Sequence, residues 1–456
     1  MKLLDACGVP LSGGNGASIA HYETAIGMLL GRPGDPDAAI AAALSEDPRF
    51  VMGRCLRAAV LILSADEAME PALRECVAAA EELAGQANDR ERRHIAAARA
   101  WLERDFARAT RMYGEVLIDY PRDRLALRVA HFGDFFLGRQ SMLRDRVAQV
   151  LPYWDESVPG YGYVLGMYAF GLEETAHYAR AEDTARRALE LAYPNPGAIH
   201  AIAHVMEMQG RQREGIAWLE ETAAQWDRGD GSATHFWWHL ALFHLDLNEV
   251  SSALHIYDAH IGARPGMSLS SLADASALLW RLHLRGVSLG GRWCELAGQW
   301  AARRLAAYCP FHDLHAVAAF VGAGDSVHVE RSLGVLRHRA AGDDPGARRV
   351  RDIWLPVAKA LAAFGNGDYG AAVEGLGEIR LIDHGIGGSH AQRDALNLTL
   401  IEAALRHREV RLARALAAER MALKPSSAFN RALARRAQAG LVFAARGPLG
   451  ATASRA

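Results

Sequence analysis

Apolar residues along this chain recur three and four positions apart and almost never alternate with polar ones. Between residues 89 and 121, Ala97 lies in one such run and Asp105-Phe106 interrupt it. Ala109, Tyr113 and Val116 mark a second run, and Pro121 ends it. A spacing of three to four puts side chains on one face of an α-helix. Proline stops a helix because it lacks the backbone donor. The segment therefore predicts two antiparallel helices joined by a short turn. Val, Ile and Thr form no long alternating runs, which leaves strands little support.

The arrangement recurs about every 34 residues. Tyr178, Ala181 and Ala188 repeat it with Ala169 upstream, and Gln212 and Gly215 repeat it with Ala203 upstream. Val250, Ala253 and Tyr257 follow with Ala241, then Gly367-Asp368-Tyr369 with Ala372 and Leu376, and finally Val410, Ala413 and Pro425. A degenerate copy surrounds Leu143. Small residue, turn, aromatic, alanine and closing proline form the tetratricopeptide pattern. The small residues let two helices approach, and the aromatic fills the gap toward the next pair. A single pair cannot bury its apolar face alone and must stack on neighbours. The expected fold is all-α, a right-handed α-solenoid of tetratricopeptide-like helix pairs.

Along the chain this predicts divergent N-terminal helices acting as a cap over 1–85, broken at Arg32-Pro33-Gly34 and Asp47-Pro48. Regular repeats follow over 86–265, irregular helical repeats over 266–345 and further repeats over 346–446, with a disordered tail at 447–456. No strong linker splits the chain.

Composition narrows the function classes. At 456 residues, 50% hydrophobic and 23% charged, the chain has ample material for a continuous core. A net charge of −2 argues against a general nucleic-acid binder. The five cysteines are irregularly spaced without a CxxC pair, so neither a disulfide framework nor a structural zinc site is expected. The first residues hold no apolar signal region, and no apolar run approaches the ~20 residues of a membrane span. A cytoplasmic protein is expected.

In tetratricopeptide arrays, positions near 2, 5, 9 and 12 of the first helix line the concave groove. Counted this way, His200, His204 and Glu207 occupy positions 5, 9 and 12 and share one helix face. His131 falls near position 5 of the degenerate copy, with Asp134 one turn on, and Glu173 falls near position 12 of the next. His235 and His239 are one turn apart, near positions 2 and 6. Asp274 begins a helix in the irregular region, and the run His312-Asp313-Leu314-His315 places His315 near position 5. The candidate site residues are His131, His200, His204, Glu207, His239, Asp274, Asp313 and His315.

Three chemistries suit such a set. The leading expectation is a peptide, protein or small-molecule ligand held in the groove by hydrogen bonds. The alternative is an enzyme acting on a small molecule, with or without a metal. His200 and His204, at i and i+4, form a bidentate pair for a divalent metal, with Glu207, His239 or His315 as a third ligand. Without metal, Asp313 beside His315, or Glu207 beside His204, would tune an imidazole for acid-base work. There is no HExxH, Walker A, Rossmann or GxSxG motif. Gly13-Gly14-Asn15-Gly16 precedes no βα unit, and Trp237, Trp238, Trp280 and Trp293 read as packing residues.

Four stretches carry a resemblance. They are His200-Ala-Ile-Ala-His204-Val-Met-Glu207, Trp238-His239-Leu-Ala-Leu-Phe-His244-Leu, Asp274-Ala-Ser-Ala-Leu-Leu-Trp-Arg281-Leu and His312-Asp313-Leu-His315-Ala. Together they resemble the signatures of the tetratricopeptide repeat protein 38 family, over roughly residues 20 to 440. His312 departs from the family, which has Asn there. The resemblance implies a soluble helical-repeat protein and no particular activity.

Overall fold

The structure is a computed structural model, and it describes residues 3–227, 233–305 and 307–440. The expected disordered tail at 447–456 lies outside the described residues. The fold is all-α, running from the helix Gly16–Leu30 to the helix Ala428–Ala439. One short hairpin, which the sequence pattern did not suggest, pairs Leu3–Leu4 with Pro10–Leu11. The Gly-rich stretch beside it starts the first helix: Asn15 accepts from the backbone N–H groups of Ala17 and Ser18. The breaks foreseen at Pro33 and Pro48 fall between the helices Gly16–Leu30, Pro36–Glu46 and Val51–Leu63.

The chain divides into two compact units, Met1–Val205 and Met206–Ala456, and the division falls inside the helix Pro196–Met208. In the first unit consecutive helices pack on one another from Asp89–Leu102 through Phe106–Asp119, Arg124–Phe136, Gln140–Val150 and Tyr161–Glu174 to Tyr178–Leu191. The small residues do what the pattern asked of them. Ala97, Ala109, Ala169, Ala181 and Ala188 are fully buried. A Cβ added at Gly171 would lie 2.5 Å from the Leu143 backbone, so only glycine allows that helix contact. Trp101 fills the neighbouring space, with the rings of Phe106 and Phe136 4.8 and 5.6 Å away. Such ring pairs add roughly 0.5–1.5 kcal/mol beyond their burial.

The second unit is organised around the helix Leu269–Leu284, buried almost all round because it is apolar almost all round. It packs on Ala233–Asp246, Pro310–Ala323 and His390–Arg406. Its polar groups are satisfied inside. Ser276 Oγ accepts from Trp300 Nε1 at 2.9 Å, Trp280 Nε1 donates to Thr399 Oγ1 at 2.8 Å, and Arg281 donates to the Ala391 carbonyl. The helix Ala428–Ala439 returns to Ala233–Asp246, and Ser427 donates to Asp246 at 2.8 Å across 181 residues of sequence. A strictly linear stack makes only neighbour contacts. The second unit adds contacts that enclose its centre.

Candidate functional site

In the first unit the helix Pro196–Met208 presents His200 and His204 one turn apart, and their Nε2 atoms face each other at 3.1 Å. His204 is fully buried, and its Nδ1 lies 3.5 Å from Oε2 of Glu173, at the end of the helix Tyr161–Glu174. Glu173, Glu174 and His204 each offer a ligand atom, all within 4.8 Å of one another. Phe170, one turn before Glu173, sets its ring 5.5 Å from both His200 and His204.

The second unit holds a matching cluster. His235 and His239, one turn apart on the helix Ala233–Asp246, face each other through Nε2 at 3.3 Å. His239 is fully buried, and its Nδ1 lies 3.4 Å from Oε2 of Glu207. The other oxygen of Glu207 meets Lys424 Nζ at 3.4 Å. His235 is partly exposed, and its Nδ1 is 2.9 Å from Asp274 on the helix Leu269–Leu284. Trp238 stacks on the His235 ring at 5.4 Å, and Arg281 lies 5.3 Å above Trp238. The run Asp274–His235–His239–Glu207–Lys424 is continuous.

The electrostatics separate the two imidazoles. Burial works against a charged His235, but the Asp274 carboxylate outweighs it and the pKa is raised. Burial, then the neighbouring His235, holds His239 well below the ordinary value. The hydrogen bond to Asp274 favours a proton on Nδ1 of His235, and the Glu207 charge 3.4 Å away favours one on Nδ1 of His239, which leaves the facing Nε2 atoms as lone pairs when both rings are neutral. Two lone pairs face to face repel unless a cation lies between them. That cation can be a single shared proton. It can also be a metal ion: two tetrahedral ligands at about 2.0–2.1 Å place their nitrogens about 3.3 Å apart.

The two clusters are one repeat apart. Glu173 precedes Glu207 by 34 residues, and the pair His200 and His204 precedes His235 and His239 by 35. The sequence reading set Glu207 beside His204. The structure pairs Glu207 with His239 and His204 with Glu173, because the carboxylate on each helix faces the histidine of the next. His235, Glu173 and Lys424 were not among the candidates. The first two had a signal in the pattern, His235 as the i−4 neighbour of His239.

The remaining candidates lie elsewhere. Asp313 and His315 are two residues apart on the helix Pro310–Ala323 and so leave it on different sides. His315 Nδ1 donates instead to the Phe311 carbonyl at 2.8 Å, and burial lowers its pKa to about 4. With Ser276, Trp280, Phe311, Gln392 and Arg393 it lines a small, largely apolar hollow open to one side. Asp313 is buried near Cys309. His131 lies in the first unit, its ring 6.3 Å from that of Phe170. Among the described residues no helix is long and apolar enough to cross a membrane. No protein-family model matches the chain.

Proposed function

We propose that this protein binds a divalent transition-metal ion through paired histidine Nε2 atoms and acts on a small molecule beside it. The observation that carries this reading is the His235–His239 pair, its Nε2 atoms 3.3 Å apart with a carboxylate behind each Nδ1. An open groove for a peptide or protein calls for polar side chains fanned apart, and these converge. A bound divalent ion supplies Lewis acidity and a water of lowered pKa. The protein's own residues do the rest. Asp274 fixes the tautomer of His235 through its hydrogen bond, Glu207 sets its charge 3.4 Å from Nδ1 of His239, and Lys424 balances the charge of Glu207.

A second reading has its own support. Neighbouring imidazoles pushed to opposite sides of their ordinary pKa suit proton transfer without a metal. Elemental analysis of the purified full chain, with a Co²⁺ and Zn²⁺ titration, separates the two. The metal reading expects bound metal that His239→Ala loses while helicity by circular dichroism is kept. A chain that carries none and takes up neither ion overturns it and leaves the proton relay.

The finer architecture is part of the same proposal. The period and the buried small residues support right-handed tetratricopeptide-like stacking and kinship with the tetratricopeptide repeat protein 38 family. The five cysteines, all free thiols, support a cytoplasmic setting.

A further inference from the structure

The buried arginines of the first unit follow one rule. Arg90 pairs with Asp123, Arg124 with Glu23 and Arg146 with Asp134. Arg128 breaks it. It is half-buried on the helix Arg124–Phe136, and it makes no hydrogen bond or ion pair among the described residues. Burial alone lowers its pKa, with no carboxylate to offset the cost. Removing a guanidinium from water without a counter-charge is unfavourable.

One turn along the same face is His131, only 6% exposed, whose Nε2 has no hydrogen-bond partner. Its ring bonds to the Met167 backbone, and burial followed by the charge of Arg128 lowers its pKa to about 3. His131 is therefore neutral near pH 7, with Nε2 as a buried acceptor lacking a donor. A guanidinium lacking an anion and an imidazole lacking a donor stand side by side.

We propose that Arg128 and His131 form a binding subsite for a small oxyanion that carries an adjacent hydroxyl. The guanidinium takes the oxyanion in its fork, and the hydroxyl donates to His131 Nε2. Two molecules share this chemistry: a 2-hydroxycarboxylate and inorganic phosphate. Phe170, which contacts His131, supplies an apolar wall. The subsite stands on residues apart from the metal reading and survives its failure.

The test uses calorimetric titration of the full chain with glycolate, acetate and inorganic phosphate. Glycolate or phosphate binds, and acetate, which has no hydroxyl, binds about tenfold more weakly, the value of one hydrogen bond to a buried acceptor. Inorganic phosphate keeps a hydroxyl in both of its ionic forms between pH 6 and 8, so its binding persists over that range, and the tighter of the two hydroxylated probes names the ligand class. Glycolate affinity stays flat over that range. Arg128→Leu abolishes binding and leaves the melting temperature of the ligand-free protein unchanged or higher, since it removes an unpaired charge. Arg128→Lys keeps weakened binding. A drop in that melting temperature in Arg128→Leu overturns the subsite by showing a structural arginine. No binding of either hydroxylated probe, or equal binding of acetate and glycolate, also overturns it.

Discussion

The two histidine clusters share an inner half and differ in their outer half. In each, a buried histidine inside a helix faces a glutamate from an earlier helix, at 3.5 Å for His204 and 3.4 Å for His239. In each, the other imidazole nitrogen meets a histidine one turn back. The outer histidines diverge. His200 packs its ring against Phe170, whereas His235 stacks on Trp238 and bonds to Asp274. Glu173 is fully buried, while Glu207 meets Lys424, 217 residues away. The inner half recurs with the 34- to 35-residue spacing of its residues in the sequence. The outer half of the second cluster comes from contacts that only an enclosed unit makes.

The largest expected effect removes an inner histidine. His239→Ala lowers metal affinity by about a thousandfold, more than the ten- to hundredfold typical of residues behind the ligands. His204→Ala should do the same if the first cluster also ligates. Metal content of both variants, measured together, decides it. Loss in His239→Ala with full content in His204→Ala breaks the likeness and makes the first cluster structural.

Acid should separate the units next. Burial holds His131 in the first unit at about 3. In the second it holds His312 at about 3, His315 and His283 at about 4, and His239 well below its ordinary value. Each is neutral when folded and gains a proton on unfolding once pH falls below about 6.5. The unfolded state then binds more protons, so stability falls with pH, by on the order of 1–2 kcal/mol per histidine at pH 5. His235 runs the other way. Its raised pKa gives stability that is present below 6.5 and lost as pH climbs through the folded value. The second unit should lose amide protection before the first between pH 6.5 and 4.5. Hydrogen exchange read by mass spectrometry checks this, and equal loss in both units refutes it.

These contrasts mark what the sequence made legible. Helices, turns and the small buried residues follow from local spacing, as Ala97, Ala109 and Gly215 show. The histidines were legible as positions on a helix face. Their partners were not. Pairing Glu207 with His204 assumed contact along one helix, but a side chain at that position reaches the helix of the next repeat. Asp274 was read as a helix start; it lies instead inside the helix Leu269–Leu284, because Ser268 caps that helix, and nothing local showed that it meets His235 39 residues earlier. Nothing local marks Lys424 or the return of the last helix to the helix Ala233–Asp246 within the second unit. Such contacts depend on how helices far apart in sequence come together.

Asp274→Asn keeps the volume and removes the charge that orients His235. Metal affinity should fall about ten- to hundredfold. The same change lowers the pKa of His235, readable in its imidazole proton shifts on titration. An unchanged His235 titration would show that Asp274 does not set its charge.

Lys424→Met should have the smallest effect, and its sign is informative. Lys424 meets Glu207 at 3.4 Å with both side chains partly accessible, and its charge also acts directly to lower the pKa of His239. Partly solvated ion pairs contribute about 0–1 kcal/mol, so affinity should change by no more than about fivefold. Two opposed consequences compete. Losing the ammonium frees the full charge of Glu207 for His239, which strengthens the imidazole as a donor to a cation. It also removes the contact that holds the carboxylate in place. If electrostatics wins, metal binds slightly tighter in Lys424→Met and the melting temperature drops little. If positioning wins, both fall together, and Lys424→Arg restores them. The outcome also says whether the contact of Glu207 with Lys424 tunes the chemistry of the second cluster or only braces it.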